Sequence, residues 1–234
     1  MRNKELNVKN AISLSNGIIL FSDSHKHFGV IATIDSNDEI FTKWEHEREL
    51  KERIKEDYKE SDKSSMLRGS FVLLMILIIV FLFIINKGII AMRIFLICSG
   101  INDFIQLFCF KMLRDESVCR FHAAEHMVVN ALHKLGRIPS LEEVRNYSRF
   151  NKACGSNKMA FKIIVKIILL ILTFIFKDHL IEIFMLLVII PFLPCDLALL
   201  NWVQFFTTLP ATDRELKVAI EAAKELEKYE LKKI

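Results

Sequence analysis

FVLLMILIIVFLFII, residues Phe71–Ile85, contains no charged or polar side chain. As an α-helix this run of about 15 residues is roughly 22 Å long. With Met66, Leu67 and Ser70 added, it reaches the length needed to cross a bilayer. Three more apolar blocks follow. One runs from the short Asn86–Gly88 turn to about Leu113, one covers Ala160–Phe176, and one runs from Leu180 to about Phe206. A tight polar turn joins the members of each pair, so the four blocks read as two helical hairpins. Composition agrees: 52% of residues are hydrophobic, mean hydropathy is +0.31, and the 26% charged residues are gathered between the apolar blocks. That segregation marks a membrane protein with aqueous segments.

The basic residues assign orientation. Arg114, Arg120, Lys134, Arg137, Arg145, Arg149, Lys152 and Lys158 lie between the hairpins, whereas the tight turns hold only Lys87 and Lys177. The positive-inside rule then places both termini and the 114–158 segment in the cytoplasm of a multi-pass protein of the cell membrane. Lys162 and Lys166 fall in the first turns of the third block, which either snorkel to the interface or make that segment partly interfacial. The start, MRNKELNVKN, lacks the apolar core of a signal peptide. Five cysteines form no C-x-x-C pair, which argues for reduced thiols rather than a disulfide framework. A net charge of +4 that follows the loops carries topology and no nucleic-acid footprint.

Outside the blocks, residues 1–44 hold a small β element. GIILF, HFGVIATI and EIFTKW read as strands of an antiparallel meander between Gly17 and Trp44, with turn residues at Asp35–Asp38. Residues 45–65 read as a charged, water-facing helical linker, 66–113 as the first hairpin and 159–206 as the second. In 207–234, Thr212 to Glu215 is a capping box, opening an amphipathic helix with Leu216, Ala219, Ile220, Ala223 and Leu226 on one stripe. That helix is expected to dock on the cytoplasmic face.

The chemistry lies in the 114–158 segment. CRFHAAEHMVVN, Cys119–Asn130, contains H-x-x-E-H within a predicted helix from Ser117 to Leu135 that stops at Gly136. His122 and His126 are i, i+4 neighbours, so two imidazoles can reach one metal ion. Glu125 beside them can activate water or ligate. H-x-x-E-H is also the inverzincin signature, although a polar helix face with two unrelated histidines has the same spacing. Cys154, in the turn-like stretch KACGSN, is the candidate third ligand, and a thiolate with two imidazoles suits zinc. A buried structural cysteine is the plainer alternative. His133 lies too far along the helix to share the ion. Asn130, one turn past His126, is a candidate orienter.

Polar residues within the spans are further candidates. Asn102, Asp103 and Gln106 cluster in the second block, and an ionised Asp at the bilayer centre costs roughly 2.5–3.5 kcal/mol, so Asp103 is expected to face the bundle interior or a hydrated cavity. Pro191, Pro194, Asp196, Asn201 and Gln204 predict a broken fourth helix. Asp103, Asp196 and Gln204 serve either interhelical hydrogen bonding or the surroundings of the site.

The region FHAAEHMVVNALHKLGRIPSLEEVRNYSRFNKACGS resembles the signature of the YqhQ-like bacterial membrane proteins, a domain of unknown function (number 1385). The family pattern is H-G-A-E-H, then an L-x-x-E-N-V-R-like stretch, then S-R-x-H-x-R-C-G-T. Its counterparts here are His122, Glu125 and His126, then Glu142 to Arg145, then Ser148, Arg149, Cys154 and Gly155. Leu67–Gly69 resembles the family's L-R-G, and Gln204, Thr207, Thr208, Pro210 and Val218–Ile220 resemble its C-terminal Q-x-L-T-T-x-x-P…V-A-I. The N-terminal G-G-Q-A-V-I-E-G-V-M-M-R is reduced to Asn16-Gly17 and apolar residues, Ala123 replaces a glycine, and Asn151 replaces a histidine. A G-x-S-Y-E-like stretch has no counterpart. The resemblance implies a divergent member of a family described as predicted metal-dependent enzymes.

The resulting expectation is a mainly α, polytopic membrane protein with about four transmembrane helices, a small N-terminal antiparallel β element and a cytoplasmic metal-site helix. It would be a metal-dependent enzyme, a hydrolase at the cytoplasmic membrane surface, with zinc on His122, His126 and Cys154 and Glu125 as general base. Its partners would be membrane lipids and a membrane-associated substrate. The rival is a non-catalytic scaffold or transport component with a structural metal, and a decayed, inactive paralogue is the third reading.

Overall fold

A computed structural model of the chain describes residues 8–22, 28–61, 88–110, 114–176 and 197–232. The first apolar block, most of the fourth, Leu67–Gly69, Pro191, Pro194, Cys195 and Asp196 lie outside them. The chain divides into two compact units, and among the described residues it is mainly helical with one small sheet.

The first unit is built on a four-stranded antiparallel meander of β1 (Val8–Ser13), β2 (Gly17–Ser22), β3 (Phe28–Ile34) and β4 (Ile40–His46). The sequence reading began this meander at Gly17. Strand β1 is additional, because VKNAIS has little β character of its own and is held by pairing with β2. Gly17 is obligatory in its place: a Cβ there would meet the Ala32 carbonyl oxygen at 2.1 Å. The Asp35 carboxylate accepts from the amides of Asn37 and Glu39 at 2.8 and 2.9 Å, closing the turn between β3 and β4.

Both faces of the sheet are covered, so GIILF is apolar without alternation. Ile18, Leu20, Val30, Ala32 and Ile34 pack with α3 (Glu116–Leu135), with Val144 of the one-turn α4 (Leu141–Val144) and with α6 (Asp213–Lys232). Ile19 and Ile31 face the other way, against Leu50 and Ile54 of α1 (Glu47–Ser61). The highly charged 45–65 stretch therefore carries an apolar pair at i, i+4 that covers the sheet. Its Asp57 accepts hydrogen bonds from the backbone amide and hydroxyl of Ser15. The C-terminal helix uses its predicted stripe, with Leu216, Ala219, Ile220, Ala223 and Leu226 all buried, against the sheet and α3. Glu215 reaches back to the amide and hydroxyl of Thr212 at 2.7 and 2.6 Å.

The second unit contains α2 (Gly88–Phe108), α5 (Gly155–Ile175) and a 3₁₀ segment (Leu197–Phe206). Helices α2 and α5 run antiparallel. Arg93 donates to the Thr173 carbonyl at 2.7 Å near one end, Met92 and Leu96 pack with Val165 and Leu169, and Leu107 packs with Ala160 near the other. Asp103 faces the pair's interior as expected and forms an ion pair with Lys166 at 2.6 Å. Ile97, Ile101, Phe104 and Ile105 of α2 and Ile164, Ile167, Ile168 and Ile171 of α5 are exposed. One described helix, Ile89–Phe108, is long and apolar enough to cross a membrane.

Candidate metal centre

Helix α3 carries the H-x-x-E-H residues and ends as its sequence predicts. Gly136 adopts the left-handed conformation (φ 66°), and its amide returns to the Leu132 carbonyl. Phe121, Ala124, Val128, Ala131 and Leu132 anchor the core face of α3. His122, Glu125 and His126 share an adjoining strip, as i, i+3, i+4 spacing requires. The two imidazole centroids are 4.5 Å apart, with ring planes at 61°.

Backbone carbonyls orient both rings. His122 Nδ1 is 3.1 Å from the Thr207 oxygen, and His126 Nδ1 is 2.7 Å from the Arg149 oxygen. A carbonyl oxygen only accepts, so Nδ1 of each ring is a donor, and Nε2 is the atom each ring would offer to a metal. Histidines that bind metals are commonly held this way.

Cys154 precedes α5 as its N-cap, and its Sγ accepts from the Ser156 amide at 3.4 Å. A helix N-terminus is a favourable place for an anionic ligand. His122 and His126, in the first unit, and Cys154, which opens α5 in the second, are among the described residues a group that could hold a metal ion. His126 and Cys154 are buried and His122 is half-buried, and two imidazoles with a thiolate form a donor set that fits a divalent ion.

Glu125 is outside this triplet and receives the Ser13 hydroxyl at 2.6 Å. Burial pushes its carboxyl up from the ordinary range, against the opposing effects of His122 and the Ser13 hydrogen bond. Asn130 donates to the carbonyls of Ser148 and Phe150 at 2.8 and 3.0 Å.

The remaining sequence candidates go elsewhere or lie outside the described residues. Asp103 is engaged with Lys166. Gln204 is fully buried, donating to Asn157 and Asn201 at 3.0 and 3.3 Å; Asn157 lies in the first turn of α5. His133 is exposed, and Asp196 is not described. Ser13 and the carbonyls of Arg149 and Thr207 were not anticipated. Ser13 belongs to a strand without a recognisable motif, and a carbonyl has no side-chain identity to read. The adjacent Thr-Thr-x-Pro resemblance was the available hint to the Thr207 turn.

A family model described as "Protein of unknown function (DUF1385)" matches residues 54–195, more than half of the chain. The chain belongs to this DUF1385 family. The matched region contains the H-x-x-E-H helix and Cys154 but not Ser13 or Thr207. No curated protein and no solved structure matches the chain.

Proposed function

We propose that this DUF1385 protein is a multi-pass enzyme of the cytoplasmic membrane that hydrolyses a membrane-associated substrate with a divalent metal, zinc by its donor set. In this reading two helical hairpins cross the bilayer, and the H-x-x-E-H segment between them is cytoplasmic. The YqhQ-like motifs and their association with predicted metal-dependent enzymes agree with it. The carrying observation is the pair of carbonyls that hold the Nδ1 atoms of His122 and His126, one helical turn apart, and leave Nε2 of each for one ion.

His122, His126 and Cys154 would hold the ion. When bound, it would supply Lewis-acid activation of water and charge stabilisation. Glu125 would accept the proton of a reacting water, and the Ser13 hydroxyl would hold its carboxylate in orientation. The nearby cation would counter the burial that otherwise favours the protonated acid.

Metal analysis of the purified full-length protein tests the site. Wild type is expected to carry about one equivalent of a transition metal, and His122→Ala/His126→Ala is expected to carry none. Equal trace metal in the two sinks the metal reading. Glu125→Gln should retain the metal while failing to complement a deletion strain, and full complementation removes the general-base role.

A further inference from the structure

We propose that Asn130 is a positioning residue for the metal centre, acting through the Ser148–Phe150 loop on the His126 ring. The proposal rests on the metal reading above and adds a residue that touches neither the ion nor a substrate.

Three consecutive carbonyls of that loop meet α3. The outer two, of Ser148 and Phe150, accept from Asn130 Nδ2, and the middle one, of Arg149, accepts from His126 Nδ1. His126 and Asn130 are four residues apart, so they project from one strip of the helix. A primary amide nitrogen has two N–H donors, and Asn130 uses both to bracket the carbonyl that fixes His126. Displacing the loop from α3 therefore breaks the bracket together with the bond that sets the plane and tautomer of the ring. The Ser148 hydroxyl accepts from the Phe150 amide at 3.0 Å, so the loop is also braced internally.

Side-chain chemistry limits what can replace it. Aspartate has nearly the shape of asparagine, but its oxygens would face two carbonyl oxygens with no proton to share. Alanine removes the bracket. Glutamine keeps both donors on a longer arm.

Cobalt(II) titration of the full-length detergent-solubilised protein, followed by absorption, tests the clamp, because the spectrum reports the ligand set and not the fold. Circular dichroism accompanies each variant. Asn130→Ala and Asn130→Asp are expected to bind cobalt about 10- to 100-fold more weakly than wild type, with altered absorption. Asn146→Ala removes an amide that, among the described residues, bonds the Glu142 carbonyl alone, and it is expected to bind as wild type does. Wild-type affinity and spectrum in a folded Asn130→Ala or Asn130→Asp protein overturn the proposal, as does an equal loss in Asn146→Ala. Should Asn130→Ala not fold, the comparison of Asn130→Gln with Asn130→Asp decides: tighter binding by Gln supports the clamp, and equal affinities overturn it. If wild type takes up no more cobalt than His122→Ala/His126→Ala, the metal reading falls and the clamp falls with it. If wild type binds and the Asn130 variants match it, the clamp alone falls.

Discussion

Glu125 shows how much of this site is decided by single atoms. A carboxylate next to two imidazoles can serve as a general base only if it is held at an angle that leaves an oxygen for the reacting proton. The Ser13 hydroxyl supplies a hold, and it comes from a residue 112 positions away. A hydrogen bond to a charged group contributes roughly 1.5–3 kcal/mol, so Ser13→Ala is expected to lower stability by about that amount in urea titration. It should leave metal content unchanged, since Ser13 is not among the ligand atoms. Loss of metal with stability intact would place Ser13 in a different role. H-x-x-E-H legibly marked the three side chains on α3, because i, i+3 and i+4 spacing is a local property of a helix. It carried no information about the serine.

At the scale of elements, the one-turn helix α4 opens the path from α3 to the loop that fixes His126. Its Ser140 hydroxyl accepts from the Glu143 amide while Glu143 accepts from the Ser140 amide, a complete capping box. The Arg137 guanidinium, with the Ser140 amide, holds the Glu143 carboxyl down at about 2 from an ordinary 4.5. A lowered folded value stabilises the folded chain above the ordinary value, and that contribution fades as pH falls through the folded one. The stabilisation from this carboxylate is thus present above about pH 4.5 and disappears towards about pH 2. Glu143→Gln is expected to lower the thermal midpoint at neutral pH, with the gap from wild type closing across that window. A gap that stays constant down to pH 2 would rule out this origin. The same scale explains two departures from the sequence reading. Strand β1 exists because β2 gives it a partner, and α1 covers the sheet because two apolar residues among many charges, Leu50 and Ile54, are enough for one stripe.

For the molecule as a whole, the second unit poses an energetic question. Asp103 and Lys166 lie on antiparallel helices whose outer faces are apolar, and their side chains are only 18% and 16% exposed. Removing one partner from such a pair leaves an uncompensated charge, at a cost of about 3–5 kcal/mol, whereas replacing both with apolar groups is often near neutral. Asp103→Leu is therefore expected to destabilise the detergent-solubilised protein by about that much, and Asp103→Leu/Lys166→Leu to recover most of it. Additive losses in the double variant would show that the two residues do not depend on each other.

The sequence by itself determined whatever repeats along the chain: the apolar blocks, the amphipathic stripe of α6, the Gly136 stop and the histidine pair one turn apart. It also singled out Cys154 and Asn130 by chemistry and spacing. Only the tertiary structure decided that three separated stretches, ending with the C-terminal helix, assemble around the N-terminal sheet as one unit. Only it decided that the carbonyls of Arg149 and Thr207 orient the two rings. The reason is physical. Helical periodicity is written in side chains a few residues apart, whereas a backbone carbonyl is the same in every residue and gains a role only from where the fold puts it.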